Sequence, residues 1–303
     1  MVKTVILWES PHPDAETALR AAGFEVCEPD QPGAEDAQAL VTATRPVDAA
    51  TLARFPRLSL VAVAFTGHDA VDSEACRARG IRVANVPEYA TDATAELALA
   101  LMLAALRHLS RSHAELITGR WAPRVGRELR GKTIGIVGSG RIGLRLARLL
   151  QPFSVRLLGW SRTPRREFEE LGGNFCASIR DLCEQSELVS LHVALNGQTK
   201  GMFGRCEIEA MRRDAWLINV ARGALVDEAA LHAALAERRI GGAALDVYSS
   251  EPYMGIPPFH QLDNVILLPH LGFRTEEALE RRLKTTVENL VAFFSGSECN
   301  LVA

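Results

Sequence analysis

From Val2 to Phe294, short apolar runs alternate with stretches patterned for helices. This alternation constrains the fold more than any other feature. Strands separated by helical crossovers return parallel to one another, so such a chain builds parallel sheets with helices on both faces. Strands are expected at Val2–Trp8, Ala39–Thr42, Leu60–Phe65 and Arg82–Ala84, and a helix at Asp14–Ala22 closed by Gly23. A second block opens with Lys132–Val137 and continues through Val155–Trp160, Leu188–His192, Ala215–Asn219, Gly242–Val247 and Val265–Leu268. Between the blocks, Thr94–His108 is apolar nearly all round, and a helix of that kind is buried on most sides. It is expected to join two α/β domains. Thr118–Arg130 reads as irregular, and the long amphipathic stretch Glu276–Phe294 is expected to pack back on the first block. The 303 residues then divide into 1–94 with 275–303, and 95–274, a length that suits two cores.

Several function classes are excluded by composition. The net charge of −3 offers none of the basic excess that nucleic-acid binding requires. The apolar run Leu97–Leu106 falls far short of the roughly 20 residues a membrane span needs. Met1–Trp8 has no small-residue cleavage site and reads as a first strand, not a leader. Six scattered cysteines without a CxxC pair argue for reduced thiols in a cytoplasmic protein, with no zinc site and no metal expected.

The motif Gly138-Ser139-Gly140-Arg141-Ile142-Gly143 follows the Lys132–Val137 strand directly and opens a helix-forming stretch, Leu144–Leu150. In that setting the three glycines fit a dinucleotide site. Gly138 permits the tight turn, Gly140 lets the backbone approach a pyrophosphate, and Gly143 brings helix and strand close. The helix start then offers N–H groups and partial positive charge to the phosphates. An acidic residue about 20 positions after the glycines would hold the adenosine ribose and favour NAD. Ser161 stands there instead, followed by Arg162 and Thr163, with Arg165 and Arg166 nearby. A hydroxyl and a guanidinium suit a 2′-phosphate, so NADP(H) is expected to be preferred, with NAD(H) still accepted.

Three later segments end strands in polar residues: Ile218-Asn219-Val220-Ala221-Arg222-Gly223, Ala244-Leu245-Asp246-Val247-Tyr248-Ser249-Ser250-Glu251-Pro252, and Leu268-Pro269-His270-Leu271-Gly272. Ligands of open parallel sheets bind beyond the carboxyl ends of the strands, so Arg222, Asp246, Glu251 and His270 can converge there. With these segments, Gly67-His68-Asp69, Asn85-Val86-Pro87, Thr94-Ala95-Glu96 and Gly131–Gly138, the chain resembles the D-isomer-specific 2-hydroxyacid dehydrogenases over nearly its whole length.

The resemblance implies two Rossmann-like, doubly wound parallel-sheet domains with a cleft between them, and a homodimer formed through the nucleotide-binding domains. It implies hydride transfer between the nicotinamide and C2 of a small 2-oxo or 2-hydroxy acid of D configuration, of glyoxylate or hydroxypyruvate type. His270 would be the general acid in reduction and the base in oxidation, a task suited to an imidazole. Glu251 would orient it, and Arg222 would bind the substrate carboxylate and reacting oxygen with its fork of donors. Asp246 would contact the nicotinamide end. Gly138, Gly140, Arg141, Ile142, Gly143, Ser161, Arg162, Thr163, His192, Val220, Asp246 and Gly272 then make up the cofactor set, and Thr66, Gly67, His68 and Arg222 the substrate set. Arg45, in another loop of the first block, is a further candidate for substrate contact.

Two positions depart from the family pattern without touching the chemistry: Ala194 where Pro is frequent, and Ser154 where Gly is common. The Tyr253–Pro258 loop is short and Pro-rich. Other readings are a dehydrogenase for a bulkier 2-hydroxy acid or another small anion such as phosphite, and a dinucleotide-sensing corepressor. The Arg222, Glu251 and His270 set favours catalysis over sensing.

Overall fold

The computed structural model describes residues 2–253 and 255–302; Met1, Ala303, and Met254 of the 253–258 loop lie outside the described residues. The chain forms two compact units, one of Met1–Ala90 with Phe273–Ala303 and the other of Thr91–Gly272.

The first unit runs β1 (Lys3–Leu7), α1 (Ala15–Ala21), β2 (Phe24–Cys27), β3 (Ala39–Thr42), α2 (Ala49–Ala53), β4 (Leu60–Val63), α3 (Ser73–Ala78) and β5 (Arg82–Ala84). Its five strands are parallel in the order β2-β1-β3-β4-β5. Asp48 and Asp72 cap α2 and α3 by accepting from Thr51 N and Ala75 N. These bonds satisfy N–H groups that a helix start leaves unpaired.

The second unit begins with α4 (Thr91–Leu106) and α5 (Leu109–Ile117), then β6 (Thr133–Val137), α6 (Arg141–Leu150), β7 (Arg156–Trp160), α7 (Arg166–Glu170), β8 (Asn174–Phe175), α8 (Ile179–Gln185) and β9 (Leu188–Leu191). It continues with α9 (Arg205–Ala210), β10 (Trp216–Asn219), α10 (Glu228–Ala236), β11 (Gly242–Leu245) and β12 (Val265–Leu267). Its seven parallel strands lie in the order β12-β11-β10-β9-β6-β7-β8. The strand order reverses between β6 and β9, the kind of switch point at which open α/β sheets bind ligands. Apolar clusters cover both faces of this sheet. Phe203, Leu225 and Phe259 belong to one, and Met102, Leu146 and Phe168 to the other.

The uniformly apolar α4 packs on α6 and on β10 and β11, which accounts for a helix without a polar stripe. It is a core helix of the second unit. Among the described residues no single helix is long and apolar enough to cross a membrane. The last helix, α11 (Glu276–Ser295), returns to the first unit, where Leu290 joins the core formed by Val5, Val41 and Leu60.

Candidate active site

The glycine turn lies at the switch point, between β6 and the end of β9. Gly138 adopts φ +105°, and a Cβ there would come within 2.5 Å of the His192 carbonyl oxygen. A Cβ on Gly143 would lie 2.0 Å from the Gly138 oxygen, so α6 can start against its own turn only with glycine there. At Gly140, by contrast, a Cβ would meet no protein atom within 4 Å. The backbone there faces open space, as the approach of a pyrophosphate demands. The hydroxyl of Ser139 and Nδ1 of His192 are buried without a hydrogen-bond partner. Buried polar atoms are seldom left unpaired, and both flank the turn. An open backbone cradle beside two unsatisfied polar atoms fits a dinucleotide. His192 Nε2 lies 2.9 Å from Ser190 Oγ, and burial pushes the imidazole down to about 4, so the ring is neutral.

Beyond β7, Ser161 Oγ donates to Thr163 O (3.1 Å) and Arg162 Nη1 donates to Gln198 Oε1 (3.0 Å). Gln198 had no expected role. It ties the loop after β9 to the arginine read as a phosphate ligand, without a countercharge. Arg141 is exposed at the start of α6, Ile142 is half-buried and Val220 is buried after β10.

Three loops on the same sheet carry the ionisable residues. After β10, buried Asn219 accepts from Ala221 N (3.1 Å) and donates to Arg222 O (2.9 Å), fixing the turn that carries Arg222. A Cβ on Gly223 would fall 1.9 Å from the Tyr248 carbonyl carbon, so a bare glycine lets the 222 loop lie directly on the 248–251 loop. The latter is held by Glu228, which accepts from Ser249 N (2.7 Å) and Oγ (2.8 Å). Glu251 then accepts from Tyr248 N (2.7 Å) with one carboxylate oxygen and bonds His270 Nδ1 (2.5 Å) with the other. Burial alone would push the Glu251 carboxyl up. The His270 bond and charge, the Tyr248 N–H and the Arg222 guanidinium outweigh it and hold the carboxyl below its ordinary value. Arg222 Nη1 donates to Ala221 O (2.9 Å). The structure thus brings Arg222, Glu251 and His270 together, although 48 residues separate the first from the last in sequence.

Asp246 is fully buried, and its carboxylate accepts from Leu271 N (2.7 Å) and Gly272 N (2.8 Å). Burial holds its carboxyl above the ordinary value in spite of these donors. Asp246, expected at the nicotinamide end, thus also holds the backbone beside His270. His270 itself has φ +55°, a left-handed conformation that non-glycine residues adopt rarely and often at functional sites.

Thr66, Gly67 and His68 belong to the first unit, just beyond β4. Asn85 Nδ2 donates to Thr66 O (2.7 Å) and Thr66 Oγ1 donates to Val86 O (3.0 Å), which gives the Asn85-Val86 pair a task the sequence did not reveal. Asn289 Nδ2 in turn donates to Asn85 O (2.8 Å). Arg45 lies over the Trp8 ring, 3.8 Å from its centroid, and donates to Trp8 O (2.8 Å). It braces the loop after β1. Among the described residues no group of three or more His, Cys, Asp or Glu side chains is placed to hold a metal ion.

A family profile described as D-isomer specific 2-hydroxyacid dehydrogenase, NAD binding domain, matches residues 99–272. The chain is 41% identical over 271 residues to a glyoxylate reductase of Thermococcus litoralis, covering 86% of this chain and 82% of the relative. It is 40% identical over 274 residues to a glyoxylate reductase of Aeropyrum pernix, with 87% and 82% covered. Among solved structures it resembles an NADPH-dependent glyoxylate/hydroxypyruvate reductase from Sinorhizobium meliloti in complex with NADP and malonate. That match has TM-score 0.92 and 32% identity, and spans 100% of this chain and 97% of the other. It also resembles D-lactate dehydrogenase from Aquifex aeolicus complexed with NAD and lactic acid (TM-score 0.87, 27% identity, 96% of each chain).

Proposed function

Because the chain belongs to the D-isomer-specific 2-hydroxyacid dehydrogenase family and is an NAD(P)-dependent enzyme of that kind, we propose that it reduces a small 2-oxo acid of glyoxylate or hydroxypyruvate type. NADPH is preferred over NADH, and the product has D configuration where it is chiral. The observation that carries the reading is the Glu251–His270 pair with Arg222 beside it, on the sheet that bears the glycine turn.

The bound nicotinamide supplies the hydride that C2 of the oxo acid receives. The residues of the chain do the rest. The Arg222 guanidinium binds the substrate carboxylate and polarises the carbonyl, stabilising the charge that develops on oxygen. His270, held at Nδ1 by Glu251, delivers a proton from Nε2 to that oxygen as the C–H bond forms, and takes it back in the reverse direction. Glu251, ionised across the neutral range, stabilises the imidazolium and fixes its plane. Gly138, Gly140 and Gly143 with the start of α6 hold the pyrophosphate. Ser161, Arg162 and Thr163 hold the 2′-phosphate, in support of which stands the absence of a carboxylate at position 161 and the neutral tether from Gln198. In the first unit, the backbone at Thr66 and Gly67, and His68, are assigned to the substrate.

The protein is proposed to be a cytoplasmic homodimer that associates through its second unit. Leu116, Ile117, Trp121 and Val125, on α5 and the segment after it, are large apolar side chains left exposed there, Trp121 at 83% and Val125 at 95%. Exposed apolar area of this kind commonly marks an association surface.

Steady-state kinetics with NADPH and NADH over a panel of 2-oxo acids tests the proposal. Highest kcat/KM for glyoxylate or hydroxypyruvate with NADPH is expected; a clear NADH preference, or turnover confined to bulky acids, overturns it. His270→Gln should lower kcat by about 10²–10⁴-fold while NADPH affinity stays nearly intact; an unchanged kcat removes His270 from the chemistry.

A further inference from the structure

We infer that Thr94 is a positioning residue for proton transfer: its hydroxyl, by donating to the carbonyl of Gly272, fixes the backbone from which the His270 side chain projects. The inference rests on the role proposed above for His270. The 270–272 segment leaves β12 and is held through its main chain. His270 N donates to Asp246 O (2.8 Å), and Leu271 N and Gly272 N donate to the Asp246 carboxylate (2.7 and 2.8 Å). Asp246 offers only acceptors, so it fixes N–H groups and leaves the carbonyl side to other donors. Thr94 Oγ1 supplies one, donating to Gly272 O at 2.9 Å across 178 residues of sequence.

A threonine in a helix ordinarily returns its hydroxyl to a carbonyl of its own preceding turn. Thr94, in the first turns of α4, spends it on this loop instead, and its side chain is buried. Gly272 lies between the two clamping residues. A Cβ there would meet Asp246 Oδ2 at 3.2 Å and Thr94 Oγ1 at 3.5 Å. The segment needs such a clamp, because a histidine at φ +55° keeps that conformation only where its surroundings over-determine it. Among the described residues, the charges of Glu251 and Asp246 bear on the imidazole, and Arg222 acts in turn on Glu251. Thr94 carries no charge, so its removal acts on His270 by geometry and not by field.

Thr94→Val keeps the shape and removes the donor; Thr94→Ser keeps the donor. The readouts are kcat for glyoxylate reduction at saturating NADPH, the NADPH Kd from its fluorescence, and the midpoint of the His270 ring titration by NMR. For Thr94→Val, kcat should fall by about 10–100-fold, as expected when a reacting group is misplaced by an ångström. The NADPH Kd should stay within about twofold of wild type, the titration midpoint should move, and Thr94→Ser should restore all three. A Thr94→Val enzyme with wild-type kcat and an unmoved midpoint overturns the inference. So does a Thr94→Ser enzyme as impaired as Thr94→Val, which would assign the effect to packing, or a loss explained wholly by weaker NADPH binding. Should Thr94→Val fail to fold in a thermal melt, Thr94→Ala carries the same expectations. Should the wild type reduce no 2-oxo acid, the proposed function fails and takes the proton-transfer role with it, and the His270 titration in the variants judges only whether Thr94 positions the imidazole: a displaced midpoint upholds that positioning and an unmoved one overturns it.

Discussion

At the scale of single residues, two positions that depart from expectation have definite physical consequences. Ser161 occupies the place where an acid would select NAD. A carboxylate there would repel a 2′-phosphate and offer a ribose two good acceptors. Ser161→Asp should therefore lower kcat/KM with NADPH by roughly tenfold or more, as for the loss of a charged contact, while NADH gains; equal effects on both cofactors would show that position 161 does not read the phosphate. Ser154 stands where glycine is common in the family. The structure supplies the reason: its φ is +52°, a conformation costing an L-residue about 1–2 kcal/mol, part of which glycine's greater unfolded-state freedom returns. Ser154→Gly should raise stability by about 0.5–1 kcal/mol, read from the midpoint of urea unfolding, with kcat unchanged. Arg222, Glu251 and His270 could be picked out from their motifs. The roles of Asn219, Glu228, Gln198 and Thr94 could not, because each makes a hydrogen bond whose partner sequence patterning does not identify.

At the scale of elements, strong periodicity was legible and short or interrupted elements were not. Phe24–Cys27 forms β2 and Asn174–Phe175 forms β8, both edge strands, the first interrupted by Glu25 and the second only two residues long. The expected helix Thr94–His108 begins three residues earlier, at Thr91, and ends at Leu106, where His108 turns left-handed (φ +53°) and a second helix, α5, starts. Within α5, Glu115 is buried and gathers Arg111, Arg120 and Arg124 from its own helix and the following loop. Thus part of the stretch that reads as irregular is pinned by charge. The Arg124 bond, against the opposing effect of burial, and the Arg111 and Arg120 bonds hold the Glu115 carboxyl down at about 2, from an ordinary 4.5. A carboxyl lowered by folding contributes stability that is complete above its unfolded pKa and is lost as pH falls through the folded one. Glu115→Gln should melt below wild type at neutral pH, and the gap in Tm should close between about pH 4.5 and about 2. A gap that persists at the acid end would mean that the carboxylate's charge is not what holds the stretch.

At the scale of the whole molecule, the apolar side chains left exposed on α5 and the loop after it bear on assembly. Trp121→Arg with Val125→Asp should convert a dimer to a monomer in sedimentation equilibrium, since a charge in an apolar contact is costly; a wild type already monomeric, or a variant still dimeric, would exclude this face. The sequence by itself determined the two-block α/β character, the dinucleotide turn and the ionisable residues at the strand ends. Each of these is written in local periodicity or in a contiguous motif, so it is legible before any contact between distant residues is known. Only the tertiary structure decided that Gly223 lets the 222 loop lie on the 248–251 loop, that Asp246 and Thr94 brace the His270 backbone, and that an asparagine of α11 steadies the Asn85–Thr66 loop. Those partners lie far apart along the chain. A hydrogen bond between them depends on where packing sets two backbones within an ångström, and neither composition nor periodicity carries that information.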